Sequence, residues 1–281
     1  MITHQVALVS ESKRISHSQL AKASAALQKQ ANRDFAPIWG IRASVDAFAE
    51  LDDVPLGYWP IVVMDDIKTP GAAGVHEDDH GQPFALVQYE THWSLTASHE
   101  CLEMLADPFG RRLVAGNSVD PKRPGRVEFL VEVCDPCEAS RLAYTVNGVV
   151  MSDFYTPHYF DPVTSGSIRY SFRGSLTRPR QVVRGGYLSW HDPTSDHWFQ
   201  ERFFGAKAEI VDLGKMARST ESLRSQIDRM TPRPGTPVRP RTAQDREHIS
   251  LLAQQAKATR STNAKARSWR AQFSALKGTK T

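Results

Sequence analysis

Residues 93–108, WSLTASHECLEMLADP, govern how the rest of the chain is read. At 100° per residue, Leu95, Ala97, Cys101, Leu102, Met104, Leu105 and Ala106 fall on one broad arc, and Thr96, His99, Glu100, Glu103 and Asp107 share the remainder. The spacing predicts a helix with Ser94 as N-cap, ended where Pro108 forces Asp107 out of helical conformation. A solvated helix face normally mixes cations with its carboxylates, whereas this polar arc holds one histidine, three carboxylates and no lysine or arginine. Something positive must compensate it. His99 and Glu103 stand one turn apart, the spacing at which a helix offers two ligands to one metal ion, and Glu100 lies beside them to act on a metal-bound water. The same letters also fit a solvated acidic stripe or a helix facing a basic neighbour.

Upstream, the text alternates strand and helix. VALVS (6–10) suits a buried strand, and Leu20, Ala23, Leu27, Ala31 and Phe35 recur at helical spacing after Ser16 or Ser18, with Pro37 as the stop. IRASVDAFAE (41–50) and YWPIVVMDDI (58–67) read as strands, GAAGVHEDDHGQPF (71–84) as a Gly- and Asp-rich loop, and PFALVQYE (83–90) as the short strand before the helix. Downstream, GRVEFLVEVCDPCE (125–138) predicts a strand ending at an Asp-Pro turn. Asn147-Gly148 predicts a tight hairpin, and residues 167–174 and 185–204 add aromatic, strand-like text.

The phrase SHECLEMLADP (98–108), followed by VEVCDPC (131–137), resembles a group of uncharacterised bacterial zincin-like proteins with H-E-x-x-E-x-x-x-D-P and, downstream, E-x-x-D-x-C. The likeness spans about residues 5–205, from QKQANRDFAPIWG through DFYTPHYFDP to GGYLSWHDPTSDHW. It implies an α+β, zincin-like mixed sheet with an active-site helix, followed by a β-rich half and a basic tail. It also implies zinc as cofactor, His99 and Glu103 as metal ligands and Glu100 as general base. Glu132 is the implied third ligand from a separate segment, with Asp135 as its substitute and Asp107 as a further ligand or an orienting group. Glutamate stands at 103, where most zincins carry their second histidine, and no G-x-x-H or G-x-x-D follows the helix.

Other clusters have two readings each. His191, Asp192, Asp196 and His197 lie between Trp190 and Trp198, so His191 and His197 are alternative ligands or proton carriers, or part of an ordinary turn. His76, Glu77, Asp78, Asp79 and His80 bind a cation, rim a cleft or form a solvated acidic loop. Cys134 and Cys137 form a lone C-x-x-C. With Cys101 they are small, buried, reduced residues, or a second metal cluster.

Composition bounds the rest. The chain has 281 residues, 40% hydrophobic and 23% charged, enough for a sizeable core and inconsistent with wholesale disorder. Three cysteines do not make a secreted disulfide framework, and no signal-like or membrane-length apolar run occurs, so the expectation is a cytoplasmic protein without membrane contact. The net charge of +4 is unevenly spread: residues 232–281 carry eleven Lys or Arg against Asp245 and Glu247, a net +9, which leaves −5 for residues 1–231. The expected organisation is a domain over 1–205, a connecting helical segment over 206–231, and a Pro- and Arg-rich tail over 232–281. A metal-dependent hydrolase, foremost a zinc peptidase acting on a peptide or protein, is the leading expectation. A non-catalytic scaffold whose tail binds a polyanion or protein partner, and a magnesium-dependent nuclease, are the rivals.

Overall fold

The computed structural model describes residues 2–231 apart from Pro70, Gly71, His80, Arg218 and Thr220. The sequence reading of a basic tail over 232–281 therefore lies outside the described residues, as does His80. The architecture is α+β, with few helices and two five-stranded sheets.

The first sheet has the order β2-β1-β3-β5-β4, formed by β1 (Ile2–Ser10), β2 (Ile41–Phe48), β3 (Tyr58–Met64), β4 (Gly74–Asp79) and β5 (Gln82–Gln88). All neighbours are parallel except β4, which runs antiparallel to β5 at one edge. Strands covered on both faces need apolar side chains at every position rather than at alternate ones. In β1, Val6 and Leu8 enter the main core while Ala7 and Val9 enter a smaller cluster on the other face, and β3 and β5 divide in the same way. The Gly- and Asp-rich text at 71–84 is thus not a loop: most of it is β4 and the start of β5. Pairing with the apolar β5 imposes extended backbone on a segment whose own residues do not favour it.

Helix α1 (His17–Lys29) opens with a capping box between Ser16 and Gln19, continues through a π-helical turn (Gln30–Phe35) and ends in α2 (Ala36–Trp39). Pro37 does not end it. Proline fits the first turn of a helix, where its missing N–H is not needed, and the stop is Gly40 at φ 73°. The π-turn delivers the fully buried Gln30, whose amide donates to Tyr144 Oη and the Ser152 carbonyl and accepts from Ser98 Oγ on the next helix.

That helix, α3 (Trp93–Ala106), follows β5 and packs against β3, β4 and β5. Ala97, Cys101, Leu102, Met104, Leu105 and Ala106 face the core as the periodicity predicts. Ser94 is not its cap: Trp93 already begins the helix, and the Ser94 hydroxyl donates to the Val150 carbonyl. Every residue from Ala97 to Ala106 is buried, the acidic arc included.

The second sheet is antiparallel, in the order β12-β11-β10-β7-β6, built from β6 (Leu113–Asn117), β7 (Arg126–Leu130), β10 (Tyr187–Asp192), β11 (His197–Arg202) and β12 (Glu209–Gly214). Phe129, Trp190 and Phe199 join the main core from one face, and Leu130, Trp198 and Leu213 receive Ile227 of helix α4 (Leu223–Met230) on the other. The hairpin of β8 (Tyr144–Val146) and β9 (Val149–Met151) turns at Asn147 and Gly148, both at positive φ. Three expectations change here. The strand predicted to lead up to the Asp-Pro turn stops early, at Leu130, while the turn itself is present as a short helical turn at Asp135–Cys137. Within 167–174, the β-pairing is the single bridge from Tyr155 to Ser171. The segment 206–231 is no mere connector, since it supplies the edge strand β12 and the packed helix α4. Among the described residues no helix is long and apolar enough to cross a membrane.

Candidate metal centre

Three separate parts of the chain meet the polar arc of α3. From the helix come His99, Glu100 and Glu103, of which Glu103 is fully buried. The segment after β7 brings Glu132, Cys134 and Asp135, and the edge strand β4 brings His76. Gly74 permits β4 to lie this close: a Cβ there would stand 2.6 Å from Glu100 Oε1 and from Thr96 Cγ2.

His99 Nε2 lies 3.2 Å from Glu103 Oε2 and 3.2 Å from Asp135 Oδ1. Oxygens of Glu103, Glu132 and Asp135 lie within 4.8 Å of one another, and Cys134 offers its sulfur within the same distance of His99 and Glu103. The Cys134 backbone N–H donates to Glu103 Oε1 at 3.1 Å, which fixes one oxygen of that carboxylate and leaves the other towards His99. Asp135 is buried, and apart from the His99 contact neither of its oxygens has a hydrogen-bond partner among the described residues. A buried carboxylate in that state is costly unless a cation or a proton satisfies it.

His76, read in the sequence as a cation ligand or cleft rim within a loop, joins the cluster from β4. Its Nδ1 faces Glu100 Oε2 at 3.5 Å and Glu103 Oε2 at 3.8 Å, while Nε2 lies 3.2 Å from the Asp107 carbonyl. A carbonyl only accepts, so Nε2 carries a proton. The signal that could have placed it there is the reach of an edge strand over the helix, which the loop reading of 71–84 hid.

Among the described residues, an arginine answers the acidic arc: Arg224 of α4, which no local pattern of the sequence singles out. Its guanidinium is buried; Nη1 donates to Glu103 Oε2 and Glu132 Oε2, Nη2 lies 3.5 Å from Glu100 Oε2, and Nε donates to Asp228 at 3.2 Å. These charges set the protonation of the cluster. Burial pushes the Glu103 carboxyl up, but Arg224 and then His99 overcome it and hold Glu103 well below the ordinary carboxylate range. Glu100 is also lowered, against burial, by Arg224 and a hydrogen bond from His76. Burial would lower His99, yet the charge of Glu103 and the bonds to Asp135 and Glu103 hold it well above its ordinary value. Asp135 is raised by burial and by the negative charge of Glu103.

The remaining predicted residues lie elsewhere. Asp107 closes α3: its carboxylate accepts the Arg112 N–H at 2.7 Å, so it orders the exit of the helix and holds His76 only through its carbonyl. His191 is bound between Glu128 at 3.1 Å and Asp196 at 3.3 Å, and His197 pairs with Asp212 at 3.1 Å. The structure brings neither histidine to the helix cluster: both lie at the turn end of the β10–β11 pair, in partly exposed positions. Cys101, Cys134 and Cys137 are all free and buried; burial pushes the Cys101 thiol up to about 12 and the other two well above the ordinary thiol value.

A cleft of about 140 Å³, lined among others by Gly74, Thr96, His99, Glu100, Glu138 and Ser152, opens onto the helix. His99 and Glu100 form part of its wall. Comparison of the chain with family models, curated proteins and solved structures found no match.

Proposed function

We propose that the protein is a metal-dependent hydrolase of zincin-like fold, foremost a zinc peptidase. The observation that carries the reading is the position of His99 Nε2, 3.2 Å from an oxygen of Glu103 and from an oxygen of the buried, otherwise unbonded Asp135. Donor atoms held at about 2.0–2.2 Å from a tetrahedral zinc stand a little over 3 Å apart, and imidazole with carboxylates is a set zinc accepts. The donors therefore fit the ion. Asp135 suits the third position better than Glu132, because its Oδ1 already stands 3.2 Å from His99 Nε2. The antiparallel edge strand over a helix that follows β5 is in keeping with the zincin resemblance.

Zinc bound here would supply a Lewis acid and a water acidified to a pKa of about 7. Glu100, held ionised beside His76 and open to the cleft, accepts the proton from the attacking water. Gly74 leaves the room in which that carboxylate sits. His76 of β4 stands beside Glu100, with its ring fixed by the Asp107 carbonyl.

Metal analysis of the purified full chain tests the reading. One zinc per chain is expected, lost in His99→Ala; Glu100→Gln keeps the zinc and abolishes hydrolysis of unstructured peptides. No stoichiometric metal, or metal unchanged in His99→Ala, overturns it. A second reading, a binding or scaffold module with an acidic structural cluster, is favoured by one observation, the salt bridges by which Arg224 already neutralises Glu103 and Glu132. In that case Glu100→Gln changes no activity, and the partner is a polyanion or protein held by residues 232–281.

A further inference from the structure

We propose that α4 is a releasable plug, in which Arg224 occupies the acidic centre in place of a metal ion and competes with zinc for Glu103. The inference rests on the metal reading above. Its geometric basis is the sharing of one atom: Glu103 Oε2 faces His99 Nε2 at 3.2 Å and also accepts the Arg224 Nη1 hydrogen bond. A metal on that oxygen and a guanidinium on the same oxygen are two cations side by side in a buried, water-poor site, where like charges repel strongly. Glu132 and Glu100 are drawn to the same guanidinium, so three of the four carboxylates around the centre answer to Arg224 in this state.

The seat of the plug is built into the fold. Gly110, at φ +57°, lies where a Cβ would stand 3.0 Å from Arg224 Cβ and from Ser222 Oγ, so the absence of a side chain there lets the start of α4 dock. The Arg224 N–H donates to the Gly110 carbonyl at 3.1 Å, and Ser222 caps the helix. Beyond this the helix is held mainly by polar groups, and its apolar attachment is small. The apolar hold is mainly Ile227, with Leu223 at its margin, against Leu130, Trp198 and Leu213, and the far end is tied by Arg202 to the Met230 carbonyl and by Thr231 to Gln200. A two-turn helix held by so few apolar groups depends on its buried arginine, and displacing that arginine releases it.

The experiment compares the chelator-stripped full chain with Arg224→Gln and Arg224→Lys, measuring zinc affinity by competition with a chromogenic chelator and amide exchange in α4 with and without zinc. Arg224→Gln should bind zinc about tenfold more tightly than wild type, within the usual range of coupling between sites. Arg224→Lys, which keeps the charge and loses the fork, should fall between. Zinc should speed amide exchange in α4 of the wild type and leave it unchanged in Arg224→Gln. Equal zinc affinity in all three, with α4 exchange indifferent to zinc, overturns the plug and leaves the metal reading standing. Zinc binding by none of them overturns both. Should Arg224→Gln fail to fold, the exchange of wild-type α4 with and without zinc decides alone.

Discussion

His99 and His191 each stand between two carboxylates at nearly the same distances, 3.2 and 3.2 Å for one and 3.1 and 3.3 Å for the other, yet they belong to different physical situations. His99 lies on a buried helix, with Glu103 and Asp135 withdrawn from water and an arginine beneath them. His191 lies near the turn end of the central strand β10, and its partners Glu128 and Asp196 are partly or fully open to solvent. In the first region each charge must be answered by a specific group, because water cannot do it. In the second, water and salt share the work, and the ion pairs are worth little. Distances alone do not separate a candidate centre from a surface pair; burial does.

The comparison can be broken or sharpened by experiment, and the largest effect expected is on thiol reactivity. Cys101, on the buried helix with its thiol raised to about 12, should react with a disulfide reagent at pH 8 about a thousandfold more slowly in the native protein than in urea, by its thiolate fraction alone. A cysteine at the exposed turn, Ser195→Cys, should react at close to the free rate; equal rates at the two places would mean that the helix is not sealed. Next comes Arg224→Gln in zinc-free buffer, which leaves buried carboxylates uncompensated and should lower unfolding stability by about 3–5 kcal/mol, with part of the loss restored by zinc. Urea titrations with and without zinc check both halves. Gly74→Ala pushes a methyl against Glu100 and should cost about 1–3 kcal/mol, with weaker zinc binding. The smallest effect is at the surface. His191→Ala should change stability by less than about 1 kcal/mol, vanish into the noise at high salt and leave zinc content untouched; a larger loss would give the turn end of β10 a role of its own.

Some of the centre could be read from the chain because it is local. His99, Glu100 and Glu103 share a helix face by spacing alone, and their lack of a neighbouring cation marked the face as unusual. The β1, β3 and β5 strands declared themselves through unbroken apolar runs, and Asn147-Gly148 declared its hairpin. The strand β4 was hidden because His76, Glu77, Asp78 and Asp79 have the composition of a loop. Its extended form comes from pairing with β5, not from its own preference. Helix α4 falls within the segment expected to be helical, but its docking was hidden, since no local pattern says where eight residues with few apolar side chains will pack.

By itself, then, the sequence determined an α+β chain with an acidic, histidine-bearing helix that required a positive partner, because periodicity and charge are properties of neighbours along the chain. Which partner answers it was decided by the tertiary structure alone. Asp135 and Glu132 arrive from beyond β7, His76 from the edge strand, and Arg224 from 121 residues further along than Glu103. Contacts between segments so far apart depend on how sheets and helices are stacked, and no local pattern of residues encodes them.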